Sequence, residues 1–119
     1  MKYKAVADEC VVTEDDGTLI WRGQPEPHKV VWAEAVPGGE EGWILYDHYH
    51  PEKNYGGFEN LAKIRSSGLI VLRAQLPATS DAYIHAELTN GKLLANSFGG
   101  FRVELNPSTG RIVSSVFTK

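Results

Sequence analysis

The chain has 119 residues, 42% of them hydrophobic, which predicts a single domain over residues 1–119 with its own packed core, and the patterns below predict that it is β-rich. Its net charge of −3 argues against nucleic acid as a main partner, because phosphate binding usually requires a basic excess. The sequence has neither an apolar run long enough for a membrane helix nor an apolar leader after Met1, so we expect no membrane partner and a cytoplasmic location.

Charge is distributed unevenly along the chain. Residues 1–60 hold 12 acidic and 5 basic side chains, whereas residues 61–119 hold 3 acidic and 7 basic ones. An acidic first half would steer a basic protein partner towards it. The simpler interpretation is that the two halves fold together and partly neutralise each other.

The single cysteine, Cys10, excludes an internal disulfide and a thiolate metal cluster. A lone cysteine in a chain of this kind is more often a small buried hydrophobe than a nucleophile. We therefore expect Cys10 in the core.

Turns containing glycine recur along the chain, each followed by a pair of aliphatic residues. Their glycines are separated by 25, 26, 23 and 19 residues, and they are Gly17, Gly42, Gly68, Gly91 and Gly110. This spacing predicts one hairpin per unit, and so about ten strands in about five hairpins. Gly38-Gly39 and Gly99-Gly100 indicate further bends or bulges.

Three of these turns have a more specific sequence. Asp16-Gly17 and Asn90-Gly91 favour two-residue hairpin turns, because Asp-Gly and Asn-Gly pairs adopt the positive φ angles that such turns require. The run from Pro107 to Gly110 favours a longer turn with glycine in the left-handed conformation.

Alternation between the turns predicts strands with one buried face. In residues 82–88 the predicted buried face is Ala82, Ile84, Ala86 and Leu88, and the predicted polar face is Tyr83, His85 and Glu87. Phe101, Val103 and Leu105 form a second buried face, and Trp32 and Trp43 are expected in the core. A short helical turn within residues 58–65 is the one helical alternative.

The segment Leu105-Asn106-Pro107-Ser108-Thr109-Gly110-Arg111-Ile112-Val113 resembles the repeat signature of quinoprotein-type β-propeller blades. Residues 60–77, 81–83 and 96–102 extend the likeness, so that the second half of the chain resembles a group of small bacterial proteins with blade-like repeats. The closing tryptophan of the blade is present only as Trp21, with Leu72 and Ser114 at the matching places, and Asn106 replaces the usual acidic residue. The resemblance implies blade-like sheets and is silent on function.

Five hairpins amount to about two and a half four-stranded blades, fewer than the roughly four that a closed propeller requires. We therefore expect an all-β antiparallel meander curled into a barrel or sandwich, or a sheet whose edges pair with another chain. The quinone that occupies a complete propeller is not implied.

A metal site is one functional hypothesis. In Asp47-His48-Tyr49-His50, a strand would place His48 and His50 on the same side, where both imidazoles could bind a divalent metal such as zinc, with His85 or His28 as a third ligand. Gly42 followed by His48 and His50 resembles the opening of the cupin metal motif.

The cupin match is incomplete, because the acidic ligand expected next would fall at Asn54 or Tyr55. His50-Pro51 also suggests that the strand ends there. Two solvated histidines, and a surface or cross-strand role for His85, are the more common alternatives, in which case no cofactor is bound.

Aromatic residues beside carboxylates favour a protein-binding surface. Tyr49, Tyr55 and Phe58 lie in or next to a loop rich in proline and glycine, and Asp47 precedes them. The leading hypothesis is therefore a non-catalytic protein-interaction module, for instance an immunity-type protein that neutralises a toxin. The alternatives are a cupin-like metal enzyme and a homo-oligomer that closes through its sheet edges.

Overall fold

The computed structural model describes residues 1–48 and 58–118, and all of the regular structure in these ranges is antiparallel β-sheet, with no helix. The strands of the described residues are β1 (Lys2–Val6), β2 (Glu9–Thr13), β3 (Leu19–Gly23), β4 (Val30–Ala35), β5 (Glu41–Tyr46), β6 (Leu61–Arg65), β7 (Ile70–Arg73), β8 (Tyr83–Thr89), β9 (Lys92–Ser97), β10 (Phe101–Leu105) and β11 (Ile112–Phe117). The predicted all-β antiparallel fold is confirmed.

The strands form three meanders in chain order. The first sheet contains β1 to β3, the second contains β4 to β7 and the third contains β8 to β11. Each sheet is open and has two edge strands, so the sandwich is the correct one of the two predicted closures.

The second sheet lies between the other two. On β5, Ile44 and Tyr46 pack in one cluster with Tyr3 of the first sheet, whereas Trp43 and Leu45 pack in another with residues of the third. A strand buried on both faces reads as a continuous apolar run, which explains the sequence Trp43-Ile44-Leu45-Tyr46. We call the contact of the first and second sheets the first junction, and that of the second and third sheets the second junction.

Four of the five predicted glycine turns are hairpin turns. Gly17 lies between β2 and β3, Gly68 between β6 and β7, Gly91 between β8 and β9, and Gly110 between β10 and β11. Asn90 and Gly91 have φ values of 51° and 74° and close a two-residue turn between Thr89 and Lys92, as predicted.

The prediction for Gly42 is wrong, because this residue lies inside β5 and the preceding turn contains Gly38 instead. A Cβ atom at Gly42 would lie 2.6 Å from the Tyr3 ring, so the glycine allows β1 to approach β5 closely. Asp16-Gly17 also differs from expectation: Thr13 pairs with Leu19, and the loop between them is longer than two residues.

The helical alternative for residues 58–65 is wrong as well. Residues 61–65 form β6, which pairs with β5 on one side and β7 on the other. Pairing on both sides supplies the backbone hydrogen bonds and buries Leu61, Ala62 and Ile64, and this outweighs the spacing of three and four that suggested a helix.

A β-bulge changes the predicted faces of β8. The register with β9 shifts between Tyr83 and His85, so Tyr83 is fully buried whereas Ile84 is 48% exposed. The extra residue reverses the alternation at that point, and Ala86 is buried as expected. On β10 the prediction is confirmed, since Val103 and Leu105 are buried and Phe101 is partly buried.

Candidate functional site

Two of the histidines predicted to bind metal, His48 and His85, lie in different parts of the fold. His48 follows β5, is exposed, and stacks on Phe98 with ring centroids 5.8 Å apart, while its Nδ1 lies 3.5 Å from Asp47 Oδ1. His85 is exposed on the outer face of the third sheet, opposite Asn96.

Residues 1–48 and 58–118 contain no group of three or more metal-ligating side chains. His50, Tyr49 and Tyr55 lie outside the described residues, so the zinc hypothesis and the roles of both tyrosines stay predictions.

Phe58 does not lie on the surface where it was expected. It is 8% exposed and packs in the first junction, with its ring centroid 6.2 Å from that of Tyr46 and 4.9 Å from that of His28. Its backbone N–H donates to the carbonyl of Asp81 at 2.9 Å. Because the Phe58 ring is buried between two sheets, it contributes to core packing. The prediction that Phe58 is an exposed contact residue is therefore wrong.

Cys10 and the two tryptophans lie where they were expected. The Cys10 side chain is fully buried, and this burial raises the pKa of its thiol to about 12, which keeps it protonated and unreactive at neutral pH. Trp43 is fully buried and its Nε1 donates to the carbonyl of Pro107 at 3.2 Å, while Trp32 is partly buried against the same cluster.

An ion pair closes one end of the first junction. Arg73 at the end of β7 donates two hydrogen bonds to the Glu26 carboxylate, at 2.7 and 2.8 Å. The guanidinium lowers the pKa of Glu26 below its usual value. The Tyr46 hydroxyl is buried near this pair, and burial raises its pKa. These groups hold the connection between β3 and β4 against the second sheet.

A buried asparagine connects the second and third sheets. Asn60 Nδ2 donates to the carbonyls of Tyr46 at 2.9 Å and Tyr83 at 2.6 Å, and its Oδ1 accepts from the Tyr83 N–H at 2.8 Å. The side chain is fully buried, so these bonds satisfy its polar atoms without water. Asn60 is therefore part of the scaffold and is shielded from any ligand.

The most exposed strand of the described chain is β11, at the edge of the third sheet. Five of its six residues are exposed, and among them Val113, Val116 and Phe117 have exposed fractions of 60%, 60% and 59%. Every other edge strand has at least two residues that are buried or partly buried. Exposed apolar side chains on an unpaired edge make β11 the candidate binding surface of the described chain.

Sequence reasoning missed this strand. It placed the binding site near Asp47 and Tyr55 and did not single out residues 112–117. A signal was present: β11 contains a second apolar pair, Val116-Phe117, besides the Ile112-Val113 pair that follows its turn glycine, so it carries apolar side chains on both faces.

Comparison with known proteins does not assign the chain to a family: no protein-family model matches it, and no curated protein matches it. Within the described ranges, the structure has no helix of the length and apolarity needed to span a membrane.

Proposed function

We propose that this chain is a non-catalytic protein-interaction module that binds an extended segment of its partner along β11. The observation that carries the proposal is the exposure of this edge strand, with Val113, Val116 and Phe117 each about three-fifths exposed. Large apolar side chains in that setting stabilise the protein more when a partner covers them.

The backbone of β11 supplies the second part of the binding mode. β11 pairs with β10 on one side only. On its other side the Ile112 N–H donates to Gln75 Oε1 at 3.0 Å, and the backbone groups after Ile112 are available to an added strand. The Phe117 ring lies 5.4 Å from that of Phe101, so a partner side chain on this face would meet two aromatic rings. Main-chain hydrogen bonds would provide affinity, and the valine and phenylalanine side chains would provide selectivity.

The charge of the chain favours a basic partner. Exposed carboxylates occupy the turn between β2 and β3 at Glu14, Asp15 and Asp16, and Glu40 lies in the turn between β4 and β5. The Tyr3 hydroxyl donates to the carbonyl of Glu40 at 2.7 Å, which ties the first sheet to the second of these turns. An immunity-type protein that neutralises a basic toxin fits this distribution.

The test is binding to the purified product of the neighbouring gene, measured by calorimetry with matched edge variants. Val113→Lys places a charge on β11, whereas Val71→Lys makes the same change on β7, the edge of the second sheet. We expect Val113→Lys to weaken binding by roughly tenfold or more and Val71→Lys to change it by less than about twofold.

Hydrogen exchange of the complex locates the contact. We expect the amides of residues 112–117 to become protected when the partner is added. Failure of the neighbouring product to bind, or equal binding by both variants, would contradict the proposal. Binding that protects other strands and leaves β11 unchanged would contradict the proposed site.

A further inference from the structure

Neighbouring sheets are joined by the same contact twice. Trp21 lies four residues after Gly17 of the first sheet and covers Gly68 of the second, where a Cβ atom would lie 2.4 Å from the indole ring. Leu72 lies four residues after Gly68 and covers Gly110 of the third sheet, where a Cβ atom would lie 2.9 Å from Leu72 Cδ1. The first and second sheets therefore each present one side chain to the turn glycine of the sheet that follows.

A second position repeats with the same period. Ile70, two residues after Gly68, packs against the cluster of the first junction, and Ile112, two residues after Gly110, packs against that of the second. At each junction, the fourth residue after the turn glycine of one sheet therefore covers the turn glycine of the next sheet. The second residue after that next glycine packs in the same junction.

At the two ends of the stack, the positions equivalent to this contact are not covered by another sheet of the described chain. On the first sheet, Gly17 has no atom within 4 Å of a Cβ position, and Leu19, the equivalent of Ile70 and Ile112, is 59% exposed. On the third sheet, Ser114, the equivalent of Trp21 and Leu72, is exposed. Across the described residues, these are the positions of the repeat that no other sheet covers.

We propose that a second copy of this chain continues the stack, with the outer face of its first sheet packed on the outer face of the third. Strand register places Lys4 and Arg22 on the outer face of the first sheet and Glu104 on that of the third, where it pairs with Ser114. Arg22 pairs with Glu9 on its own face and Glu104 lies 3.9 Å from Lys92, so the contribution of charge to this contact rests on Lys4 and is small.

Two copies are sufficient to close the assembly. A ring of blade-like sheets usually has four to eight members, and six is the one multiple of three in that range. Each copy would present its third sheet to the first sheet of the other, so the contact would occur twice around a twofold axis and leave neither outer face open.

This arrangement uses sheet faces, whereas the sequence had suggested association through sheet edges. It goes beyond the proposed function, which uses the free backbone edge of β11, whereas this contact uses the outer face of the third sheet, on which Ser114 and Val116 of the same strand lie. Val113→Lys, which alters the edge strand, and Leu19→Glu, which alters the outer face of the first sheet, therefore separate the two proposals.

The test is the molar mass in solution, measured by sedimentation equilibrium from about 1 to 100 µM, a range that covers weak homodimers. We expect a dimer of the 13.1 kDa chain. Leu19→Glu should weaken dimerisation by about tenfold or more. Leu69→Glu is the matched control, because Leu69 is also 59% exposed but lies in the turn between β6 and β7 of the second sheet, and it should leave the mass unchanged.

Ser114→Trp is designed to strengthen dimerisation, an effect that misfolding of the variant would not produce. It restores at the third sheet the side chain that Trp21 supplies at the first, and we expect it to tighten the dimer and bury the new indole. Val113→Lys should leave the dimer intact even where it abolishes partner binding.

A wild-type chain and Ser114→Trp variant that both stay monomeric would overturn the inference, as would a dimer that Leu19→Glu does not weaken. Oligomers that keep growing with concentration would overturn the closed ring of two copies.

Discussion

The two junctions of the sandwich bury comparable apolar clusters but differ in their polar contacts. In the first junction, aromatic rings lie over glycines, as Trp21 does over Gly68, and the side-chain hydrogen bonds, including those of the Glu26–Arg73 pair, are only part-buried. The second junction contains the hydrogen bonds of Asn60, which are fully buried.

The two kinds of contact constrain the relative position of the sheets to different degrees. Apolar contact is proportional to the area covered and tolerates small shifts of one sheet over the other, whereas a buried hydrogen bond is lost when its partners move. The second junction should therefore fix the register of the stack, and the first should open more readily. The predictions below alter one junction at a time.

Replacement of Asn60 should have the largest effect. Asn60→Ala removes three hydrogen bonds and leaves buried backbone groups of Tyr46 and Tyr83 without partners, so we expect the free energy of unfolding to fall by about 3–5 kcal/mol. Asn106→Ala is the control, because Asn106 accepts hydrogen bonds in an exposed turn, and it should cost about 1 kcal/mol. Equal losses in urea denaturation would contradict the assigned role of Asn60.

The first junction is tested by two glycines of similar conformation. Gly17 and Gly68 have φ values of 93° and 88°, so alanine at either position costs about 1 kcal/mol of backbone strain. At Gly68 the added methyl group also displaces the Trp21 ring, and overpacking adds roughly 1–3 kcal/mol. Unfolding measured at low protein concentration should show this difference, with altered Trp21 fluorescence in Gly68→Ala alone. Equal destabilisation would mean that Trp21 contributes little to the junction.

The ion pair of Glu26 and Arg73 should make the first junction sensitive to acid. Arg73 lowers the pKa of Glu26 in the folded state. The stabilisation from this pair is therefore complete above the pKa of Glu26 in the unfolded state, and it is lost as the pH falls through the lowered pKa of Glu26 in the folded state. The pair is about one-third exposed and screened by solvent, and we expect Arg73→Met to cost about 1 kcal/mol at neutral pH and less in acid.

Arg22→Met is the control for this change, because Arg22 and Glu9 form a more exposed pair in the first sheet. We expect that variant to lie within about 0.5 kcal/mol of the wild type at all pH values where the protein is folded. A pH-independent loss in Arg73→Met would indicate that the arginine acts through packing alone.

The sequence predicts the local part of this fold and misses the part set by contacts between sheets. Asn90-Gly91 is a correct two-residue turn because both residues favour positive φ by themselves. Ala7 and Asp8 form a similar turn, with φ values of 50° and 66°, between the paired residues Val6 and Glu9. Alanine gives no local signal for that conformation, and pairing of β1 with β2 imposes it.

The candidate site was less predictable than the fold for the same reason. Phe58 looked exposed because it follows a loop sequence, but two sheets close over it. Val113 and Val116 looked like ordinary strand residues, and they are exposed because β11 is the last strand of an open sheet whose outer face no other sheet of the described chain covers. Both outcomes follow from the order in which sheets stack, which alternation within one strand does not encode.

Cys10 allows the two junctions to be compared without any substitution, because reaction of its thiol measures opening of the first junction. It is fully buried among residues that join the first two sheets, and the pKa of about 12 that burial gives it makes reaction in the closed state negligible. A thiol reagent can therefore react with Cys10 only after the first junction opens.

If the first junction opens while the second stays closed, the free energy of opening obtained from labelling of Cys10 should be lower than the global free energy of unfolding by roughly 0.5–1 kcal/mol. Asn60→Ala should then narrow this gap between the two free energies, since it weakens the second junction and removes no side chain of the first-junction cluster. Labelling that tracks global unfolding in both proteins would show instead that the three sheets open together, and that the polar contacts of the second junction stabilise the whole stack equally.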